Sequence, residues 1–439
     1  MIRKIITYCY KFLFARNSMQ IFNKLKKMDI IIFEKNRKQQ INKLQGVLEV
    51  AFSNIPYYRT FGNLFNIDDF SYEDFQKLPV LSKDIIRNQG MNLVNNGFQP
   101  MNNVFKNTSG GSTGEPVSFF RTKSQSHHGS ANYYYAMFLN GANIYDRSVD
   151  LWGAERDMYN ASTKFDLGAV IHNKTTLNTF VLNDKIIENY IKRLNTIRPK
   201  FIKAYVHSLY DISKYINKHR LSIKFTPIIH CTTGPLYPEV RKEIEKAFNG
   251  AHVYSFYGSR EVSAIGSEIK GKDGMYILFD NVFVEILDKH NRPVEEGEEG
   301  EVVVTTLNNF YMPLIRYKIG DRAIKGDSFS FGTLKLDNVT GRTLGVIYKK
   351  DGTKIDGQFF TTLFFNKPSI KGFQLVQKTL DNLVLNVVKS DYYKPEELKQ
   401  IIQRIKTELP NIDIEVVFCE SINLTQTGKI MYVYSELDI

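Results

Sequence analysis

The chain has 439 residues, of which 43% are hydrophobic and 24% charged, which is ordinary for a globular enzyme and argues against general disorder. Its formal net charge of +12 suits nucleic acid, an anionic membrane surface or polyanionic nucleotides and saccharides, and does not choose among them. The length predicts two domains, and no stretch reaches the roughly 18 apolar residues of a membrane span. The 3 cysteines are widely spaced, which indicates neither a disulfide framework nor a zinc knuckle and favours a reducing cytoplasm.

The N-terminal segment is basic and aromatic. Lys11 interrupts its apolar part and no small-x-small cleavage site follows, which argues against a signal peptide. Lys24, Lys26 and Lys27 continue the basic character, as in helices that lie on a membrane surface. A helix packed on the protein's own surface is the equal alternative, and the sequence leaves both open.

The first hundred residues predict mostly helix. Phe33 to Val50 has the pattern of a long polar helix, and Ser71 and Ser82 stand where a hydroxyl would cap a short helix. The apolar stripe of the long helix consists of Leu44, Val47, Leu48 and Ala51.

A run rich in glycine and hydroxyl groups, Lys106–Pro116, lies between two apolar segments and predicts a strand, a loop and a strand. Its glycines permit positive φ and bring N–H groups close to an anion, and its Ser and Thr side chains add uncharged donors. The residues that would hold phosphate are Thr108, Ser109, Gly110, Gly111, Ser112, Thr113 and Gly114. A Ser/Gly-rich surface turn is the alternative, whereas a Walker loop is unlikely because Glu115 and Pro116 follow Gly114.

The next segment alternates apolar strands with helices from Ser148 to Phe248 and predicts a mainly parallel, helix-covered sheet. Ligands bind such sheets at the carboxyl ends of the strands, where Thr233 and Gly234 fall, followed later by Tyr257 and Gly258. Before this region, the aromatic stretch Ser126–Leu139 suits core packing or a substrate pocket. His127 and His128 in that stretch are near the loop by sequence only.

The C-terminal third predicts further β structure and a small second domain. Segments 283–287 and 301–306 read as antiparallel strands of a smaller β unit, and Gly341–Gly345 reads as a hinge. Beyond it we predict a hairpin, a helix starting near Pro395 and a last strand over 414–418. The predicted fold is therefore α/β: a large domain of helix-covered sheets plus the small β unit over 1–341, and a small mobile α+β lid over 342–439.

Five motifs, in order along the chain, resemble those of the acyl-adenylate-forming superfamily. The glycine-rich run resembles its phosphate loop, Tyr257-Gly258-Ser259-Arg260-Glu261 its Tyr-Gly-x-Thr-Glu motif, and the stretch ending at Asp321 its Tyr-x-Thr-Gly-Asp motif. Gly341-Arg342 and Thr425-Gln426-Thr427-Gly428-Lys429 complete the set. Three other stretches, 54–59, 79–83 and 234–238, resemble the phenylacetate-CoA ligase branch, especially its CapK-like members. The resemblance covers nearly the whole chain from about Asn54 onward.

The resemblance implies a role for each motif residue. Tyr257 packs at the adenine of ATP, Asp321 accepts hydrogen bonds from both ribose hydroxyls, and Arg342 assists at the ribose. Glu261 holds Mg²⁺, which bridges phosphate oxygens, and Lys429 reaches in from the lid towards the α-phosphate. The site residues of this hypothesis are Thr108 to Gly114, Thr233, Gly234, Tyr257, Gly258, Ser259, Arg260, Glu261, Asp321, Arg342 and Lys429.

The sequence departs from the family pattern in three places. Arg260 stands where the family usually has Thr, and its guanidinium suits pairing with a phosphate or with a substrate carboxylate. Leu344 occupies a position where relatives usually have an acidic hinge residue. Met275 falls where some relatives place a histidine, so we expect their structural zinc site to be absent.

The leading hypothesis is a ligase that uses ATP and Mg²⁺ to form an acyl-adenylate from a small carboxylic acid and then transfers the acyl group. The acceptor is left open among CoA, a carrier-protein thiol and an amine. The branch implies a role in bacterial surface or capsular polysaccharide biosynthesis. We expect a cytoplasmic protein with no nucleic-acid partner, and contact of the basic N-terminus with the inner membrane face stays one of the two alternatives given above. The alternative is a non-catalytic basic protein that binds a membrane surface or nucleic acid.

Overall fold

The computed structural model describes most of the chain between residues 6 and 437. The described residues are 6–7, 10–11, 15–28, 33–98, 103–108, 117–152, 171–179, 184–327, 332–342, 346–350, 354–356, 360, 363–364, 367, 369–422 and 432–437. Among them the chain divides into two compact units, one ending at Thr340 and one beginning at Gly341. The predicted domains, 1–341 and 342–439, and the mobility of the second stay predictions.

Helices dominate the start of the first unit. They are α1 (Arg16–Leu25), α2 (Phe33–Asn54), α3 (Pro56–Arg59), α4 (Tyr72–Gln76), α5 (Lys83–Gln89) and α6 (Lys123–Leu139), with 3₁₀ turns at Ile67–Asp69 and Gly90–Leu93. Ser71 caps α4 by accepting a hydrogen bond from the Asp74 N–H, and the Asp74 carboxylate accepts one from the Ser71 N–H in return. Ser82 caps α5 through the N–H of Ile85. Both predicted caps are confirmed.

The long helix α2 anchors the first hydrophobic core. Its predicted stripe is confirmed, since Leu44, Val47, Leu48 and Ala51 are all 0% exposed. These side chains pack with α4 and with strand residues such as Phe283, so α2 covers the sheet that carries the candidate site.

Strands fill the rest of the first unit. They are β1 (Val104–Thr108), β2 (Ser118–Thr122), β3 (Ser148–Trp152), β4 (Lys174–Asn178), β5 (Phe201–Tyr205), β6 (Ile228–Thr232), β7 (His252–Ser259), β8 (Ser263–Glu268), β9 (Met275–Ile277), β10 (Val282–Leu287), β11 (Glu299–Thr306), β12 (Tyr317–Lys325) and β13 (Lys335–Arg342). β1 and β2 form an antiparallel pair. In the described residues the others form an 11-stranded sheet in the order β10-β11-β12-β13-β9-β8-β7-β6-β5-β3-β4.

The sheet has a parallel half and an antiparallel half. Strands β4, β3, β5, β6 and β7 are parallel, as predicted. The helices that connect them are α7 (Asp184–Ile197), α8 (Val206–Lys218) and α9 (Pro238–Ala247). β8 then pairs antiparallel with β7 and begins the second half. The predicted small β unit is therefore continuous with the large sheet, because the hairpin of β7 and β8 joins them.

The described part of the N-terminus packs on the protein itself. Phe22 and Leu25 of α1 are buried in a core with Tyr135 of α6, and Nζ of Lys11 donates to the carbonyl of Ile144 over 3.0 Å. This arrangement corresponds to the second alternative, a helix on the protein's own surface. Among the described residues, no helix is long and apolar enough to span a membrane.

The second unit is a small α+β arrangement. It contains β14 (Val346–Tyr348), β15 (Lys354–Asp356), β16 (Ile370–Gln377), β17 (Asn382–Lys389), α10 (Pro395–Glu408), β18 (Asp413–Phe418) and β19 (Val433–Ser435). The hairpin of β16 and β17 and the helix with Pro395 in its first turn confirm the prediction. The predicted last strand is not the last, because β19 follows it and pairs parallel with β16.

Candidate active site

The carboxyl ends of β6 and β7 bring two predicted segments to one edge of the sheet. The two strands are parallel, with Cys231 in register with Ser255, so Thr233 and Gly234 leave β6 beside Tyr257 on β7. Thr233 has a φ of 67°, a left-handed conformation that turns the chain sharply as it leaves the strand. This edge is where open α/β sheets bind ligands.

Asp321 on β12 lies against Tyr257. The phenol of Tyr257 donates a hydrogen bond to Oδ2 of Asp321 over 2.8 Å. Gly320 just before it has a φ of 86°, which a residue with a Cβ rarely adopts, so the glycine sets the turn that presents the carboxylate. Two motifs that are 64 residues apart in sequence therefore meet in one place.

Arg260 and Glu261 lie in the tight turn between β7 and β8. Ser263 closes the turn with a φ of 67°, and a Cβ on Gly258 would approach the Ser263 carbonyl oxygen to 2.6 Å. The close approach explains the glycine, because any larger residue would push the two strands apart. Val262 in the turn is 0% exposed and anchors it in the core.

Three side chains that the sequence analysis missed hold this turn. Gln125 of α6 donates to the carbonyl of Glu261 over 3.0 Å, and Asn281 donates to the carbonyl of Val262 over 2.8 Å. Arg121 of β2 donates to the carbonyl of Arg260 over 3.4 Å and to Oγ of Ser263. Burial lowers the pKa of Arg121, and the charge of Glu261 opposes that effect. No local sequence signal marks these residues. Arg121 and Gln125 act on partners more than a hundred residues away in sequence, and Asn281 acts on the turn from a separate segment.

The carboxylate of Glu261 fits a magnesium ligand. The residue is buried, with 8% exposure, and its backbone is fixed by Gln125. In the described part of the chain no group of three or more His, Cys, Asp or Glu side chains forms a metal cluster. Mg²⁺ is commonly held by one or two carboxylates together with substrate phosphates, so a single carboxylate on a fixed backbone suits it. Arg260 beside it is exposed and projects from the same turn.

The remaining predicted site residues are described only in part. Thr108 is half-buried at the end of β1 and is in register with Ser118, so the two strands flank the predicted phosphate loop. Ser109 and the loop residues 110–114 lie outside the described residues, as does Lys429. Arg342 ends β13, and only its backbone is described.

His128 of α6 belongs to a structural network. Nδ1 of His128 lies 2.7 Å from Oδ2 of Asp280, and Nζ of Lys43 lies 2.6 Å from Oδ1 of Asp280. Burial alone would raise the pKa of Asp280, but the hydrogen bonds and charges of His128 and Lys43 lower it below its usual range. We assign this network to packing of α2 and α6 on the sheet.

Comparisons with known proteins show which proteins the chain resembles. Residues 347–436 match the CapK C-terminal domain. Protein CapK of Staphylococcus aureus is 24% identical over 389 residues, which cover 81% of this chain and 79% of CapK. The phenylacetate-coenzyme A ligase of Aromatoleum evansii is 25% identical over 330 residues, covering 70% of each chain. The predicted resemblance to the CapK-like and phenylacetate-CoA ligase branch of the acyl-adenylate-forming superfamily is confirmed by these similarities.

The fold agrees with that resemblance. A structure of 2-hydroxyisobutyryl-CoA ligase in the postadenylation state superimposes with a TM-score of 0.68 at 20% identity, covering 90% of this chain and 89% of that one. The predicted α/β fold with a smaller C-terminal α+β part is confirmed by this similarity. The predicted enzyme class, an adenylate-forming ligase of the phenylacetate-CoA ligase type, is also confirmed.

Proposed function

We propose that this chain activates a small carboxylic acid with ATP as an acyl-adenylate, releases pyrophosphate, and transfers the acyl group to CoA. The observation that supports this most is the hydrogen bond between Tyr257 and Asp321, which unites two of the five motifs. The relatives named as phenylacetate-CoA ligases support CoA as the acceptor. A carrier-protein thiol or an amine would accept the same acyl group by the same chemistry.

In this proposal the sheet edge binds the nucleotide. The Asp321 carboxylate accepts hydrogen bonds from the ribose hydroxyls, since one carboxylate can accept several at once. The ring of Tyr257 packs at the adenine, and its phenol holds the Asp321 carboxylate in place. Arg342 assists at the ribose.

The same proposal assigns the polyphosphate to the loop. Thr108 and Ser109 with residues 110–114 surround the leaving phosphates, while Thr233, Gly234, Gly258 and Ser259 provide backbone groups at the edge of the sheet. Glu261 holds Mg²⁺, which when bound supplies positive charge to the phosphate oxygens. Arg260 pairs with the α-phosphate or the substrate carboxylate.

The reaction has three requirements that these residues must meet. The acid's oxygen must be aligned for attack on the α-phosphorus while pyrophosphate leaves, charge must be offset, and water must be kept from the mixed anhydride. The Glu261 turn is suited to alignment, because Arg121, Gln125 and Asn281 fix its backbone. Lys429, on the lid, contributes the remaining cation at the α-phosphate.

The similarity to CapK supports a place in bacterial surface or capsular polysaccharide biosynthesis. We place the enzyme in the cytoplasm, with peripheral contact at the inner membrane face through the exposed Lys24, Lys26 and Lys27. The other candidate, a non-catalytic basic protein that binds membrane or nucleic acid, is not favoured, because the relatives include named ligases and this chain keeps Glu261 and Asp321.

The test is product analysis. The protein is incubated with ATP, Mg²⁺ and a library of carboxylic acids that includes uronic, amino, dicarboxylic, hydroxyaryl and alkanoic acids, with and without CoA. Acid-dependent formation of AMP and pyrophosphate is the expected result. Formation of ADP and phosphate would contradict the proposal.

A further inference from the structure

The parallel half of the sheet carries a row of polar side chains. Lys203 on β5 is in register with Asp150 on β3 and with His230 on β6, and His230 is in register with Tyr254 on β7. Residues in register on parallel strands lie on the same face of the sheet. Strands of a helix-covered parallel sheet are normally continuous apolar runs, so this mid-strand row is unusual.

Aromatic rings surround the row. Two residues further towards the carboxyl ends of the strands, the same face carries Trp152, Tyr205 and Phe256. The ring centroids of Trp152 and Tyr205 are 4.2 Å apart. Tyr133 of α6 lies across the face, with its ring 5.3 Å from that of His230 and 5.7 Å from that of Phe256. The four rings are half-buried, so this face is only partly covered by the described residues.

The ammonium of Lys203 is held among these rings. Its Nζ lies 4.2 Å from the ring centroid of Trp152 and 5.3 Å from that of Tyr133. Such contacts attract a cation to the ring faces and fix where it lies. The row therefore has a positioned positive charge on an aromatic-lined face, and the carboxylate of Asp150 in the same row is paired with Lys174, whose Nζ lies 3.1 Å from its Oδ2.

His230 adds a buried polar atom that no described residue pairs with. The residue is 0% exposed and its Nδ1 lies 3.0 Å from the hydroxyl of Tyr254, whereas Nε2 has no hydrogen-bond partner in the described part of the chain. Burial lowers the pKa of His230 well below its usual value, with the charge of Lys203 adding to the effect, so the imidazole is neutral. When Tyr254 donates to Nδ1, the ring proton lies on Nε2, which then needs an acceptor. Buried polar atoms in folded proteins are nearly always paired, and a ligand oxygen would supply the pair here.

The row lies within reach of the proposed nucleotide edge. His230 precedes Thr233 by three residues on the same chain segment, which corresponds to about 10 Å along a strand. An acid whose carboxylate is activated at the edge would place the far end of its tail near Lys203 and His230.

We propose that the acid carries a second acceptor oxygen at the end of its tail, a carboxylate or a hydroxyl, which binds between Lys203 and Nε2 of His230. The rings of Tyr133, Trp152 and Phe256 pack on the carbon skeleton between the two ends. A plain hydrocarbon acid supplies no acceptor to the buried Nε2 of His230, and sites built to hydrogen-bond a substrate oxygen strongly reject the analogue that lacks it. This inference rests on the proposed adenylate-forming function.

The test uses pairs of acids that differ only in the tail oxygen. Adipate is compared with hexanoate, and 4-hydroxyphenylacetate with phenylacetate, by kcat/KM for pyrophosphate release. We expect the oxygen-bearing member to be preferred by about 10- to 100-fold, the scale of one hydrogen bond to a charged group. A larger preference within the adipate and hexanoate pair indicates that the tail group is anionic. A larger preference within the 4-hydroxyphenylacetate and phenylacetate pair indicates a neutral hydroxyl.

Variants identify the residues that cause the preference. Lys203→Met and, separately, His230→Leu should each reduce the preference within the better pair and leave the hydrocarbon acid nearly unchanged. Lys203→Arg should retain part of the preference. Lys200→Met, at an exposed lysine just before β5, serves as the matched control.

The outcomes separate the two proposals. Equal use of both members of each pair by the unsubstituted protein overturns this inference while AMP formation still supports the proposed function. A preference that all the variants retain also overturns it. Absence of AMP with every acid in the library overturns the proposed function, and this inference with it.

Discussion

The phenol of Tyr257 donates to Oδ2 of Asp321 over 2.8 Å, although three strands lie between β7 and β12 in the sheet. Neighbouring strands are about 4.8 Å apart, so four such steps in a flat sheet would separate the two strands by about 19 Å. A tyrosine and an aspartate side chain are too short for that distance. The antiparallel half of the sheet must therefore curl, and its curvature brings the two motifs together.

Asp321 should determine recognition of the ribose. Replacing it in Asp321→Asn removes a charged acceptor, and we expect ATP binding to weaken by about 10- to 100-fold. The unsubstituted protein should prefer ATP over 2′-deoxy-ATP, and the variant should lose most of that preference. Isothermal titration with both nucleotides measures the effect, with Asp327→Asn, at an exposed carboxylate shortly after β12, as the control. An undiminished preference in Asp321→Asn would remove the residue from the ribose site.

Tyr257 should act partly through Asp321. Tyr257→Phe keeps the ring but removes the O–H that orients the carboxylate, so the loss in ATP affinity should be smaller than for Asp321→Asn. Because the two side chains are in contact, the double variant should lose less than the sum of the single losses, with a coupling of about 0.5–3 kcal/mol. Strictly additive losses in the same titrations would mean that the hydrogen bond does not serve nucleotide binding.

Glu261 should set the requirement for Mg²⁺. Glu261→Gln removes the carboxylate charge but keeps the backbone carbonyl that accepts from Gln125, so the thermal stability should change little. We expect the Mg²⁺ concentration for half-maximal pyrophosphate release to rise at least about tenfold. Glu239→Gln, at an exposed position in the first turn of α9, is the control. The same Mg²⁺ dependence in Glu261→Gln and in the unsubstituted protein would assign the ion to other ligands.

The buried carboxylate of Asp280 should make a pH-dependent contribution to stability. Its pKa in the folded state is below that of an unfolded aspartate, about 3.9, so its stabilisation is fully present above about pH 4 and is lost as the pH falls through the lower, folded-state value. At pH 7, Asp280→Asn leaves Lys43 and His128 facing a neutral amide and should cost about 3–5 kcal/mol of unfolding free energy.

Urea unfolding at several pH values tests this expectation. The difference between Asp280→Asn and the unsubstituted protein should be largest near neutrality and should shrink below about pH 4. Asp273→Asn, at an exposed turn, should show no such difference. A difference in unfolding free energy that stays constant down to pH 3 would assign the destabilisation to altered packing instead of charge.

Local patterns in the sequence were sufficient for much of the fold. The stripe on α2, the caps at Ser71 and Ser82 and the helix starting at Pro395 depend on residues within a few positions of each other, and each was predicted correctly. The strand β19 was missed because three residues are too few to show a period. The continuity of the sheet was missed because it depends on pairing between β7 and β8 through a turn that contains Arg260 and Glu261.

The candidate site likewise has residues that local sequence patterns predict and residues that they do not. Tyr257, Glu261 and Asp321 were identified from motifs, but their support was not, because Arg121 and Gln125 act on a turn more than a hundred residues away. The polar row had a visible signal, since Lys203 and His230 interrupt apolar strands. The signal is ambiguous, because a polar residue in a short strand is usually assigned to a solvent-facing position.

The most direct test of acyl-adenylate formation follows the acid's own oxygen. An acid that supports turnover is labelled with ¹⁸O in its carboxylate and converted with ATP and the acceptor, and the products are analysed by mass spectrometry. Attack of the carboxylate on the α-phosphorus leaves one labelled oxygen on the phosphate of AMP after acyl transfer. The account predicts ¹⁸O in AMP and none in pyrophosphate, whereas ¹⁸O in inorganic phosphate together with ADP would show attack on the γ-phosphorus and contradict it.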